Sequence, residues 1–182
     1  MDVADGPRHA LLVIDLQRDL CHDGRRRELV KPAVANIVRL VDHWSAQGLP
    51  VFYTKFELDP DDPQFDRFGD RYCVRGTEGA EFIDDILPLR GTVVAKSKHS
   101  AFFDTALEKL LRDAGCDGVV LTGLQTQICI LTTAADAYHR GLDVVVVEDA
   151  VASTRDDVRL QAIEWIHKYV GTSTNTANLL EA

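Results

Sequence analysis

The sequence predicts an α/β fold, a mostly parallel sheet with helices on both faces, and three observations carry that expectation. Strand-like and helix-like segments alternate from end to end. The strand-like segments (HALLVID, DGVVLT, LDVVVVED) are near-continuous apolar runs rather than alternating ones, as strands covered on both faces are. Glycines or polar turns separate each segment from the next, which suits strand–crossover–strand units.

In chain order, His9 to Asp15 reads as the first strand. Residues 31–48 carry Val34, Ile37, Val38, Val41 and Trp44 at helical spacing, with Pro32 near the start and Gly48 past the end. LPVFYT is a second strand. The polar, Pro- and Asp-rich residues 57–81 are too long for a simple connection, and such loops are usually functional. GTVVAK is a third strand and DTALEKLLRDAG a helix with Leu107, Leu110, Leu111 and Ala114 on one face. DGVVLT is the fourth strand, and a helix containing Cys129 runs to Gly141. LDVVVVED is the fifth strand. A last helix opens at Thr154, with Asp157 completing a capping box, and a short sixth strand falls near GTSTN.

Composition sets the outer bounds. The chain has 182 residues, 46% hydrophobic and 27% charged, which fits one soluble domain spanning residues 1–182. A net charge of -9 leaves no basic face for nucleic acid, and the Arg25–Arg27 cluster reads as a solvated turn. No apolar run approaches the roughly 18 residues of a membrane span, and MDVADGPRHA lacks a signal peptide's apolar segment. The expected location is cytoplasmic. Cys21, Cys73, Cys116 and Cys129 form no C-x-x-C pair, so they read as reduced thiols rather than a zinc site or disulfide framework.

Ligands of open parallel sheets bind beyond the carboxyl ends of the strands. Asp15 closes the first strand, Lys96 the third, and Cys129 begins the helix after the fourth. Each has an ordinary reading alone: a turn cap, a surface charge, a packing thiol. Together they suggest nucleophilic catalysis. A helix N-terminus and a nearby ammonium lower a thiol's pKa. A carboxylate can take the thiol proton and return it to a leaving group. Backbone N–H groups of GLQTQIC could hold an oxyanion, with Gly123 permitting the sharp turn.

ALLVIDLQRD, VVAKSKHSAFFDTALEKLLRDAG and VVLTGLQTQICILTTAADAYHRGLDVVVVEDAVAS resemble the three signature segments of the isochorismatase-like cysteine hydrolases. That group includes nicotinamidases, N-carbamoylsarcosine amidase and ureidoacrylate or biuret hydrolases. The resemblance implies a three-layer α/β/α sandwich with six strands and a triad of Asp15, Lys96 and Cys129. Lys98 competes for the Lys role, but Lys96 keeps the family's distance from Ser100, Ala101 and Phe102. The resemblance also implies a cis peptide at Leu124–Gln125, an oxyanion hole made by the N–H groups of Gln125 and Cys129, and a homodimer or homotetramer.

The metal-binding Asp-x-His of nicotinamidases is missing. Phe56 and Leu58 stand near its two positions, and Tyr72 near a further family His. Glu57, Asp59, Asp61 and Asp62 read as a solvated loop, so neither a metal nor another cofactor is expected, and nicotinamide is a doubtful substrate. Phe56, Tyr72, Phe102 and Thr126 are candidate substrate contacts, with Phe103 a candidate for pocket wall or core. His99, near the pocket mouth, reads as a surface residue, with substrate contact as the alternative. His139 lies ten residues beyond Cys129, about 15 Å along a helix, too far to pair with it.

The expected activity is metal-independent hydrolysis of a C–N bond in a small amide, ureido or carbamoyl compound, through a thioester. The alternatives are isochorismatase-type vinyl-ether hydrolysis using Asp15, and a silent binding or assembly module keeping the fold.

Overall fold

The computed structural model describes residues 8–21 and 24–181. Six strands form one sheet: β1 (His9–Ile14), β2 (Val51–Phe56), β3 (Thr92–Lys96), β4 (Gly118–Gly123), β5 (Asp143–Val151) and β6 (Thr172–Thr174). Their order is β3-β2-β1-β4-β5-β6, and every pairing is parallel. The apolar runs form these strands because helices cover both faces. Ala10, Leu12 and Ile14 of β1 pack into one cluster with α4 (Leu107–Asp113), α5 (Leu131–His139) and α6 (Asp156–Tyr169). Leu11 and Val13 turn the other way, into a second cluster with α2 (Gly24–Ala46) and with Leu179 and Leu180 of α7 (Thr176–Glu181). The result is the expected three-layer α/β/α sandwich.

The direction of strand addition reverses between β1 and β4. A crevice opens there at the carboxyl ends of the strands, and this is where α/β sheets receive ligands. Asp15 follows the end of β1, and Ile14 pairs in register with Gly123 at the end of β4. At Gly123, φ is +106°, and a Cβ would collide with the Ile14 backbone carbonyl. Only glycine lets the chain pass this close, so the break after β4 is sited beside Asp15 by the Gly in TGLQ.

Three local expectations need correction. Helix α2 begins at Gly24, well before Pro32, which sits inside it. The Arg, Glu and Leu residues of GRRRELV are good helix formers and carry the helix upstream. The Arg25–Arg27 cluster is therefore helical rather than a turn. Thr154 does not cap α6: Arg155 occupies the cap position with extended backbone and no side-chain cap bond. Asp157 is instead engaged by the Arg155 guanidinium, at 2.9 Å from Nε to Oδ1.

The long stretch after β2 is not a bare loop. It contains α3 (Gln64–Phe68), which joins a small cluster of Phe56, Leu58, Phe65 and Cys73, and two 3-10 turns, Glu78–Ala80 and Asp84–Ile86, the second packing into the α2-side core. Three of its acids are engaged by cations or by the local backbone. Lys55 reaches Glu57 at 3.1 Å, Arg75 reaches Asp59 at 2.8 Å, and Asp62 accepts the Gln64 N–H. Among the described residues, no helix is long and apolar enough to cross a membrane.

Candidate active site

Asp15 leaves β1 in the left-handed region, with φ of 55°, and its carboxylate is fully buried. Thr54 on β2 holds it twice, accepting the Asp15 N–H at 3.2 Å and donating its hydroxyl to Oδ1 at 2.6 Å. Oδ2 meets Lys96 Nζ at 2.8 Å, with both side chains shielded from solvent. Lys96 ends β3, two strands away, a lateral distance of about 10 Å. A long side chain is needed to cover it. The Lys96 stem passes over Phe56 on the intervening strand, with Nζ 5.1 Å from the ring centre. The ammonium also donates to the carbonyls of Lys98 (3.1 Å) and His99 (2.9 Å) and contacts Cys129 Sγ at 3.5 Å. Lys98 thus contributes a backbone acceptor, and its ammonium takes no part in the ion pair.

Cys129 is not the first residue of an α-helix. Thr126–Ile130 form a single π-helical turn that precedes α5. The Gln125 carbonyl accepts N–H groups from Ile128 (3.0 Å) and Ile130 (3.2 Å), passing over the N–H of Cys129 between them. Leu124–Gln125 is cis. Cys129 is buried, with Lys96 Nζ as the side-chain contact of its sulfur.

The electrostatics differ from what proximity to an ammonium suggests. Burial, then the Asp15 carboxylate, raise the Cys129 thiol above its ordinary value, and Lys96 offsets them only in part. For Lys96, burial pulls downward, but Asp15 and Cys129 outweigh it and the net shift is upward. Cys129 therefore rests as a thiol, and Lys96 as an ammonium paired with Asp15.

Cys73 is likewise pushed up by burial and then by Asp15, and burial, then Asp85 and Asp15, push Cys21 up to about 12. A raised thiol favours the folded state below the ordinary value of 9.0 and loses that contribution as pH climbs toward the folded value. The raised Lys96 acts in the same direction. Stability should therefore fall between pH 9 and 12. At pH 10.5 the loss should reach up to about 2 kcal/mol for each such thiol. Urea unfolding at pH 8 and 10.5 measures it, and Cys21→Val should flatten the alkaline limb. An unchanged limb in that variant would contradict the assignment.

A cavity of about 530 Å³ opens in front of Cys129, lined by Asp15, Gln125 and Cys129 on one side and Phe56, Tyr72 and His99 on another. Two proposed contacts do not line it. Phe102 is buried in the core behind α5, with the Arg140 guanidinium 4.8 Å over its ring. Thr126 is fully buried, and both its N–H and hydroxyl bind the Ala152 carbonyl, tying the turn to the end of β5. Phe103 is exposed and belongs to neither wall nor core. His139 lies at the far end of α5. His99, expected at the surface, is half-buried in the cavity wall.

Sequence reasoning passed over Gln17 and Thr54. Gln17 is fully buried and clamps the end of β2, donating to the carbonyls of Phe56 (2.7 Å) and Ala80 (2.8 Å) and accepting the Phe56 N–H at 2.8 Å. A Gln two residues after a strand-end Asp was the available signal. Gln127 lines the cavity with its Oε1 accepting the Ser153 hydroxyl.

Residues 9–178 match the family model described as the isochorismatase domain. The crystal structure of N-carbamoylsarcosine amidase from Thermoplasma acidophilum is 34% identical. It superposes with a TM-score of 0.84, over 93% of this chain and 96% of that one. Enterobactin synthase component B of Escherichia coli is 28% identical over the whole of this chain, which spans 66% of that protein's length. A protein of Arabidopsis thaliana named as a probable inactive nicotinamidase is 30% identical over 92% of this chain and 91% of its own.

Proposed function

The chain belongs to the isochorismatase family, a family of hydrolases, and from that membership we propose a metal-independent cysteine hydrolase. Its proposed substrate is a small amide, ureido or carbamoyl compound, cleaved at a C–N bond. The observation that carries this reading is the buried contact of Asp15, Lys96 and Cys129 at the sheet's switch point, opening on one cavity.

In the first half-reaction Asp15 takes the Cys129 proton as the sulfur attacks the carbonyl carbon. The N–H groups of Gln125 and Cys129 hold the oxyanion. The tetrahedral adduct collapses by breaking the C–N bond, and Asp15 returns its proton to the departing nitrogen, leaving a thioester. In the second half-reaction Asp15 deprotonates a water that attacks the thioester. The acid leaves, and the released sulfur regains the proton from Asp15. Lys96 compensates the negative charge wherever it resides, so each proton transfer occurs inside a site of constant net charge.

The match to an isochorismatase domain favours a second reading, vinyl-ether hydrolysis in which Asp15 protonates the substrate and the thiol is a bystander. The two readings differ in product. Ammonia release from a panel of amides, ureas and carbamoyl compounds, unchanged by a chelator, is the expected result. Pyruvate from isochorismate with no ammonia from the panel would replace the proposal with the second reading. Neither product from folded protein would favour a silent module.

A further inference from the structure

Three rings in the cavity wall lie nearly parallel. The Phe56 ring is 5.9 Å from that of Tyr72, with planes 17° apart, and 6.2 Å from the His99 imidazole, with planes 13° apart. All three line the cavity that holds Cys129. His99 is tied to the triad through its backbone, because its carbonyl accepts from Lys96 Nζ at 2.9 Å. Its ring is not consumed by that role. Among the described residues, neither imidazole nitrogen makes a hydrogen bond, although the ring is half-buried. A polar ring held in a stack at the cavity's edge, with both nitrogens unspent and Cys129 in the same cavity, suits a substrate contact better than a packing residue.

We propose that His99 is a specificity-determining residue: a planar, conjugated acyl group packs against the stacked Tyr72, Phe56 and His99 rings and is hydrogen-bonded by the imidazole. The proposal rests on the amide-hydrolase reading above for the reaction, though not for the binding. A planar acyl group packs closely against aromatic edges and faces, whereas a saturated one presents puckered C–H bonds to them. The ring's charge state supports the same role. Burial and then Lys96 hold the His99 pKa below its ordinary value, with Lys98 adding to them and Asp15 opposing. Tyr72 and Phe56 pack beside the ring, and Asp70 and Arg71 line the same cavity. Near neutral pH the imidazole is therefore uncharged and offers one donor and one acceptor.

The test uses full-length Cys129→Ala protein, so that binding is read without turnover. Of the six histidines, the His99 ring C–H resonance is assigned by its loss in His99→Phe. Benzamide should move that resonance saturably. Cyclohexanecarboxamide, its saturated and puckered counterpart, should bind about 2- to 12-fold more weakly. His99→Phe keeps a ring and loses both nitrogens, so it should retain the planar preference while weakening benzamide about 2- to 12-fold. A His99 resonance that benzamide leaves in place overturns the proposal, as does equal binding of benzamide to parent and His99→Phe. Ammonia release by the wild type is read separately. Release with an unmoved His99 would sink this proposal and leave the amidase reading. A moved His99 with no release from any amide would do the reverse.

Discussion

Cys129→Ala should lower amide hydrolysis by about 10⁴-fold or more while leaving the fold in place. Under the proposed thiol mechanism, removing the nucleophile from a set of residues that act as a unit leaves only what binding and the oxyanion hole can do, a loss of about 10⁴ to 10⁶. The Sγ atom is small, so the folding cost should be about 1 kcal/mol. The two effects are separable: kcat falls by orders of magnitude, while the urea midpoint and the far-ultraviolet dichroism hardly move. The same variant discriminates between chemistries. Under vinyl-ether hydrolysis the sulfur forms no bond, so Cys129→Ala would keep most of its activity, and such a result would remove the thiol from the mechanism.

Lys96→Met should be costly in both stability and rate. Met approximates the aliphatic stem over Phe56 but lacks the charge, leaving the Asp15 carboxylate fully buried with the Thr54 hydroxyl as its side-chain donor. Breaking a buried ion pair from one side costs about 3 to 5 kcal/mol. The variant relieves that cost by binding a proton at Asp15, and a protonated carboxyl cannot take one from Cys129. Turnover should therefore fall by at least about 10²-fold, the lower range for general-base catalysis. A thermodynamic cycle checks the cause. Adding Asp15→Asn to Lys96→Met should restore most of the lost stability, because the unpaired charge is gone, while activity stays lost. Additive stability losses would mean the pair is not coupled as its 2.8 Å separation implies.

Much of this arrangement was legible before any coordinates. The strands announced themselves because both faces are covered, which forces continuous apolar runs such as Leu11 to Ile14 and Val144 to Val147. The convergence of Asp15, Lys96 and Cys129 followed from strand ends, because parallel strands put all their carboxyl ends on one edge. Burial was not legible, and two errors came from that. A thiol beside an ammonium reads as acidic, yet burial and the Asp15 carboxylate outweigh Lys96 and turn the shift upward. A histidine in the polar stretch SKHS reads as exposed, yet it stacks on Phe56 in the cavity wall.

Direction was the other missing quantity. Phe102 and Thr126 lie within a few residues of triad members in sequence, but the backbone turns their side chains into the core and toward Ala152. A loop or turn has no period from which such facing can be read. The residues before Pro32 were lost for a related reason: Pro marks a first turn well, but it does not exclude helix upstream when the preceding residues are strong helix formers. Gln17 carried a faint signal, a buried amide clamping both the strand that holds Phe56 and the 3-10 turn at Ala80.

The most direct test is the mass of the Cys129 peptide after acid quench, within milliseconds of mixing wild-type protein with an activated ester that shares its acyl group with a turned-over amide. The activated leaving group makes acylation outrun deacylation, so an intermediate accumulates. The expected result is one acyl mass on Cys129, decaying at the turnover rate and absent from Cys21, Cys73 and Cys116. Steady hydrolysis of the ester with Cys129 unmodified throughout would contradict thiol catalysis at this site.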